Sequence, residues 1–342
     1  MPIRLSERRP EVSPDRLLSE CVPPPRFADV SFDSYRPNPA EPSQSEALAV
    51  LRQRGSILAE PRRERSLWSR LRGAKPAPEG KPGIYLDGGF GVGKTHLLAS
   101  LWHLSTGPKM YCTFVELTNL VGALGMRSAV EALSEYRLIC IDEFELDDPG
   151  DTVLISRLLR QLVDAGVELA ATSNTLPDKL GEGRFQAIDF LREIQALAGH
   201  FDVRRIDGPD YRHRGLPVAP EPWPDARVEQ VAGELPGASC DHFVDLYRQL
   251  AELHPSKYGA LLDGVTAVGI TDIRELNDQN VALRLVVLAD RMYDRDISLL
   301  AGGVPLDRMF TPEMLKGGYR KKYLRALSRL IALAQAGMTP AG

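Results

Sequence analysis

The chain has 342 residues, enough for two domains of ordinary size. Apolar residues make up 43% and charged residues 26%, a globular balance that excludes a disordered chain or a fibre. Lys plus Arg number 42 against 46 for Asp plus Glu, and the net charge of -4 argues against binding nucleic acid by whole-chain electrostatics, so no stable nucleic-acid partner is expected.

Cys21, Cys112, Cys140 and Cys240 are scattered without metal or disulfide spacing. The longest apolar runs, such as LVVLA at 285–289, fall far short of the ~20 residues a membrane-spanning helix needs. The N-terminus mixes acids and bases and has no apolar stretch of signal-peptide length. The expectation is a cytoplasmic protein with no transmembrane segment.

Residues 1–27, with three prolines at 23–25, read as a flexible N-terminal arm. A first domain is expected over 28–215. It carries an insert at 61–82 with seven basic and two acidic residues, read as a solvated loop or as a contact for an acidic partner or an anionic lipid surface, hence peripheral membrane proximity. From residue 84 short apolar runs, GIYLD, MYCTFVE, LICID, ELAATS and FDVRRI, alternate with helical spacing. That alternation predicts an α/β fold with a parallel sheet flanked by helices. Helices are expected at 95–104, 116–124, 151–165 and 186–198. Six prolines between 209 and 236 mark a linker over 216–239, and a C-terminal lid or partner region, mainly helical α/β, follows over 240–335.

The stretch GGFGVGKT at 88–95 satisfies GxxxxGK[ST] between an apolar strand and a helix-forming run, the context a phosphate loop requires. Gly88, Gly89, Phe90, Gly91, Val92, Gly93, Lys94, Thr95 and His96 are the candidate nucleotide-binding residues. Glycines let successive N–H groups face the phosphates of ATP, the helix N-terminus adds partial positive charge, and Lys94 adds a full one. Thr95 is a candidate ligand for Mg²⁺. Forty-eight residues beyond Lys94, LICIDEF delivers two acids at a strand end: Asp142 as the second magnesium ligand and Glu143 to polarise the attacking water. Asn174, closing ELAATSN, is expected at the same sheet edge, where a short amide can bond the γ-phosphate or the lytic water. The charged cluster at 210–215 is too sparse for a metal site and reads as a turn.

These motifs, with ATSNTLPDKL and FDVRRIDGPDYRHR following in order, resemble the AFG-like AAA+ ATPases, whose bacterial branch is the ZapE type. ADRMYDRDISLLAGG and RALSRL are similar to that family's closing segments, so the likeness runs from about 27 to 335. The resemblance implies a P-loop fold of AAA+ type, ATP hydrolysis, ring assembly and remodelling of a protein partner, for the ZapE branch FtsZ at the division site. A chaperone or protease-adaptor ATPase for membrane-protein subunits, a nucleotide-switch module and a replication-type loader are the alternatives. The family's trans-acting arginine lies just before a Phe-Leu pair; here that pair is Phe190 and Leu191, the aligned position is Ala187, and Arg184 or Arg192 is the substitute. Arg325 or Arg329 is expected to reach the nucleotide from the lid. Gln44 either reads the adenine edge or sits beside a helix capped by Ser43 or Ser45.

One pattern lies outside this scheme. At an offset of 130, Asp142 pairs with Asp272, Glu145 with Glu275, Leu158 with Leu288, Asp164 with Asp294 and Ala171 with Ala301. Ile273 then stands for Glu143 and Val304 for Asn174, so the second block is chemically silent. It reads as a structural pseudo-repeat arising by duplication or, the preferred origin, by convergence, and it requires 266–271 and 297–301 to be neighbouring parallel strands.

Overall fold

In the computed structural model the described residues are 2–61, 81–89, 91–145, 149–177, 180, 191–208 and 218–338. The chain divides into two compact units, residues 14–213 and residues 1–13 with 214–342. Most of the basic insert, Phe90, Arg184, Ala187, Phe190 and the 210–215 cluster lie outside the described residues.

In the first unit the apolar runs become β1 (Gly83–Gly88), β2 (Lys109–Thr113), β3 (Leu138–Asp142), β4 (Glu168–Ser173) and β5 (Phe201–Ile206). They form one parallel sheet in the order β2-β3-β4-β1-β5. Strands covered on both faces read as continuous apolar runs, which is why LICID is buried throughout. The helices are α1 (Pro14–Ser19), α2 (Pro42–Ala59), α3 (Lys94–Leu104), α4 (Phe114–Leu124), α5 (Met126–Leu133), α6 (Pro149–Ala165) and α7 (Leu191–Gly199). One face of the sheet, with Ile84, Leu86, Tyr111, Cys140 and Ala170, packs on Leu51 of α2 and Leu97, Leu98 and Leu101 of α3. The other, with Tyr85, Met110, Ile139, Ile141 and Leu169, packs on Phe114, Leu117, Leu158, Leu162 and Ile194 from α4, α6 and α7. Three expected helices match within two residues, and the start of the fourth lies outside the described residues. α5 was not expected, since it is only one core-facing pair, Ala129 and Leu133, four apart. β2 runs straight into α4 because Thr113 and Glu116 form a capping box that satisfies the exposed N–H groups at the turn.

In the second unit β6 (Ala238–His242), β7 (Ala267–Ile273) and β8 (Ser298–Gly303) form a parallel sheet in that order. α9 (Phe243–Glu252), the short α10 (Tyr258–Leu261), α11 (Gln279–Asp294) and α12 (Arg320–Met338) bury most of the core on one face. α8 (Asp225–Glu234) covers the other face through Val228 and Ala232. The linker expected over 216–239 therefore contains a helix and the start of a strand; the prolines crowd the approach to α8 and leave its body intact.

The flexible arm expected over 1–27 is a further correction. Leu5 is fully buried in the second unit, where Asp241 accepts the N–H groups of Leu5 and Ser6 at 2.9 Å each. Ile3 pairs with Ser239 along the outer edge of β6. In the first unit Leu17 and Leu18 of α1 pack on the core, and the Cys21 carbonyl accepts the Tyr111 N–H at 2.9 Å. Sparse apolar residues hid this docking, which uses backbone groups and one buried carboxylate.

Arg325 and Arg329, expected to reach the nucleotide from the lid, form an ion-pair cluster within the second unit. Both close on Asp290 of α11, Arg325 at 2.7 Å and Arg329 at 2.5 Å, with all three side chains at or below one-fifth exposure. Burial opposes ionisation of Asp290, but the two guanidinium groups outweigh it and hold the carboxyl below its ordinary value. A lowered folded pKa contributes stability that is complete above the unfolded value of about 4 and is lost as pH falls through the folded value. Asp290→Ala, which strands two mostly buried cations, should destabilise the protein by about 3 kcal/mol in urea unfolding at pH 7. The gap to wild type should narrow below about pH 4.

Candidate nucleotide site

A parallel sheet carries the C-terminal ends of its strands to one edge, and β1, β3 and β4 deliver Gly88, Asp142 and Ser173 there. Between β1 and α3 the chain curls through Gly91 and Gly93, with φ of 80° and 86°. Only glycine enters that region without cost. A Cβ on Gly93 would also lie 2.4 Å from the Tyr35 ring. Tyr35 holds the loop from that side, donating its hydroxyl to the Val92 carbonyl at 2.8 Å. Gly88 is fixed by close approach too, since a Cβ there would meet the Ile206 carbonyl oxygen at 2.3 Å. The first-turn N–H groups of a helix have no acceptor within it, so α3 presents an anion-binding end to the loop.

Lys94 is buried, and its Nζ donates to the carbonyls of Gly88 at 2.8 Å and Gly89 at 2.6 Å and to Asn174 Oδ1 at 2.9 Å. The fold thus brings together two residues 80 apart in sequence, as their motifs require. Asp142 is the hub of the site. Its Oδ1 accepts from the Thr172 hydroxyl, from Glu143 N–H at 3.1 Å and from Thr95 Oγ1 at 3.3 Å. Its Oδ2 accepts the Tyr111 hydroxyl at 2.9 Å. Thr95 and Asp142 therefore offer adjacent hard oxygens, a donor pair that suits Mg²⁺.

Glu143 leaves the strand at φ 53°, a left-handed conformation that costs a non-glycine residue roughly 1 kcal/mol. Its N–H also reaches Thr172 Oγ1 at 3.1 Å, which helps hold the strained turn. Asp87, one residue before the loop, is buried. Burial pushes its carboxyl above the ordinary value, against the opposing pull of Arg205 and Lys94.

Other expected residues fall elsewhere. The His96 ring sits against the segment before α2, with Nε2 at 3.0 Å from both Ser34 Oγ and the Ser31 carbonyl. Arg192 is exposed on the first turn of α7. Gln44 is buried with its amide committed, donating to the Asp207 carbonyl and accepting the Asn38 N–H, both at 2.8 Å. These bonds tie α2 to the end of β5.

Sequence reasoning missed Tyr111, Thr172 and Tyr35. Thr172 carried a signal, standing two residues before Asn174 and beside Asp142 once β3 and β4 are paired. Tyr111 needed the register of β2, which no local pattern specifies.

The model of the AFG1-like ATPase family matches residues 11–237 and 225–339. The cell division protein ZapE of Escherichia coli strain K12 is 28% identical over 309 residues, spanning 77% of this chain and 80% of its own length. Lactation elevated protein 1 homolog B of Danio rerio is 25% identical over 225 residues, or 55% of this chain and 44% of its own. Among solved structures, the replication initiator DnaA bound to AMPPCP and single-stranded DNA aligns over 91% of each chain, at 14% identity and a TM-score of 0.39. With a phosphate loop, strand-end acids and a family match across nearly its whole length, the chain belongs to the AFG1-like ATPase family and is an ATP-hydrolysing enzyme of the P-loop fold.

Proposed function

We propose that this ATPase grips ATP through residues 88–96, cuts it beside Asp142 and Glu143, and spends the cycle on remodelling a protein partner of the division machinery. The observation that carries the nucleotide chemistry is the cage around Asp142, where four donors, Thr95 of the phosphate loop among them, close on one carboxylate. Magnesium, held by Thr95 and Asp142, would supply charge neutralisation on the β- and γ-phosphates. Lys94 has three N–H donors, and all three have acceptors. Triphosphate binding therefore exchanges one or more of these for phosphate oxygens and loosens Asn174, which is then placed to bond the γ-phosphate or the lytic water. Glu143 takes the proton of that water. Arg184 or Arg192 is the trans-acting arginine in an assembled ring.

Support for the partner comes from the likeness to the division protein ZapE over most of both chains. FtsZ is the partner proposed. No helix among the described residues is long and apolar enough to cross a membrane. ATP turnover measured with FtsZ polymers, with unfolded protein and with DNA tests the reading. Stimulation by FtsZ polymers alone is expected; stimulation by unfolded protein alone would replace it with a chaperone or protease-adaptor function, and no stimulation by any of the three would favour a nucleotide switch.

Glu143→Gln should retain ATP while kcat falls at least about 100-fold. Tyr111→Phe removes one hydrogen bond to a charged group, and the magnesium concentration for half-maximal hydrolysis should rise about tenfold, with ATP binding little changed. Gly93→Ala meets both the Tyr35 ring and a left-handed φ, and should lower the thermal midpoint and abolish ATP retention in a filter-binding assay.

A further inference from the structure

The echo between the two halves extends far past the residues that first revealed it. From α3 to β4 and from α8 to β8 the main elements recur in the same order: α3 with α8, β2 with β6, α4 with α9, β3 with β7, α6 with α11 and β4 with β8. The strands lie in the same spatial order, all parallel. Registers agree as well. Lys109 stands opposite Leu138 as Ala238 stands opposite Ala267, and Leu138 opposite Glu168 as Ala267 opposite Ser298. Between the first paired residues of the middle and last strands the second copy has one residue more than the first.

Local devices repeat at matching positions. Counted from the paired strand starts Leu138 and Ala267, Glu143 and Asp272 fall together and both have φ of 53°, so in the structure Asp272 answers to Glu143 and not, as at the offset of 130, to Asp142; Gly166 and Asp296 have φ of 86° and 51°. The Arg137 N–H bonds the Pro108 carbonyl at 2.7 Å as the Thr266 N–H bonds that of Gly237 at 3.0 Å. The Val167 N–H bonds the Leu162 carbonyl at 3.0 Å as the Ile297 N–H bonds that of Met292, also at 3.0 Å. Thr113 caps α4 and His242 caps α9, each followed by Phe, Val, an acid and Leu. Hydrophobic patterning can bring two chains to one fold class, but it does not dictate matching registers, matching left-handed residues and matching turn bonds together. Duplication accounts for them better than the convergence preferred on sequence alone.

The copies part where the chemistry would be. In the first, Leu86 stands opposite Thr172 and α3 begins eight residues later, an interval filled by the phosphate loop. In the second, the counterpart of Thr172 is Gly302; Trp223 stands opposite it, and α8 begins only two residues later. Too little chain remains to wrap a phosphate. The counterpart of Thr95 is Asp225, whose Oδ1 accepts the Asp272 N–H at 3.0 Å and would lie 2.2 Å from a Cβ on Gly302. Asp272 in turn holds Arg274 at 2.5 Å and His242 Nε2 at 3.2 Å.

We propose that the second unit is a degenerate copy of the nucleotide core in which Asp225 and the cluster of Asp272 with Arg274 and His242 close the strand-end site, so that each chain holds a single nucleotide. This rests on Lys94 being the phosphate grip of the first copy, as read above. Equilibrium dialysis of the full chain with magnesium and adenosine 5′-(γ-thio)triphosphate should give one nucleotide per wild-type chain and none for Lys94→Ala. Two per chain, or one kept by Lys94→Ala and lost on adding Asp225→Ala, would overturn the closed second site. Asp296→Gly tests the copy independently of the first site. It installs the residue found at the equivalent position, Gly166, and should raise the thermal midpoint with nucleotide affinity unchanged. A lowered midpoint would overturn the equivalence.

Discussion

The first unit depends on one carboxylate. Asp142 ends β3 among hydroxyls from β2 and β4, the phosphate-loop threonine and the N–H of its own neighbour. A buried ionised group is expensive unless its lone pairs are met, and here they are met by side chains that sheet register alone can bring together. The same bonds tie the ends of β2, β3 and β4 to the start of α3, so the rigidity of the sheet passes directly to the groups proposed to meet a phosphate. Lys94 and Asn174 add the second cross-link, from the loop to the end of β4.

Much of this was legible in the sequence because it is local. A phosphate loop needs its glycines and lysine within eight residues, and strand-end acids follow an apolar run, so Lys94, Thr95, Asp142, Glu143 and Asn174 could be picked out before any fold was known. The parallel sheet was legible too, as strands buried on both faces leave uninterrupted apolar runs. What escaped was pairing across distance. Tyr111 and Thr172 become site residues only through register, and Tyr35 only because the segment before α2 packs on the loop. The same holds for Gln44, Arg325 and Arg329: that Gln44 bonds Asp207 and Asn38, and that the two arginines close on Asp290, needed the fold.

Comparing the two units separates what the fold requires from what the chemistry requires. Both keep the parallel strands, the capped helix after the first of them and a strained residue where the central strand ends. Glu143 and Asp272 share the same left-handed turn although only one stands beside a phosphate loop. The strain at Glu143 thus belongs to the architecture of the strand end, and its acidic side chain is what the proposed reaction would use. The glycine-rich loop is the part the second unit does without, and Asp225 and Asp272 fill that corner with their own charges.

The outer strands of both sheets carry a further consequence. Ile3 lies along β6, Trp223 between Pro222 and Pro224 lies along β8, and the Cys21 carbonyl takes an N–H of β2. β5, the remaining flank, bears Asp202, Arg204 and Arg205, two of them joined at 2.7 Å. Unpaired strand flanks invite neighbouring molecules to zip on and polymerise, and short bridges, prolines and charges are the usual deterrents. Among the described residues these small coverings deter edge-to-edge pairing of the sheets between molecules.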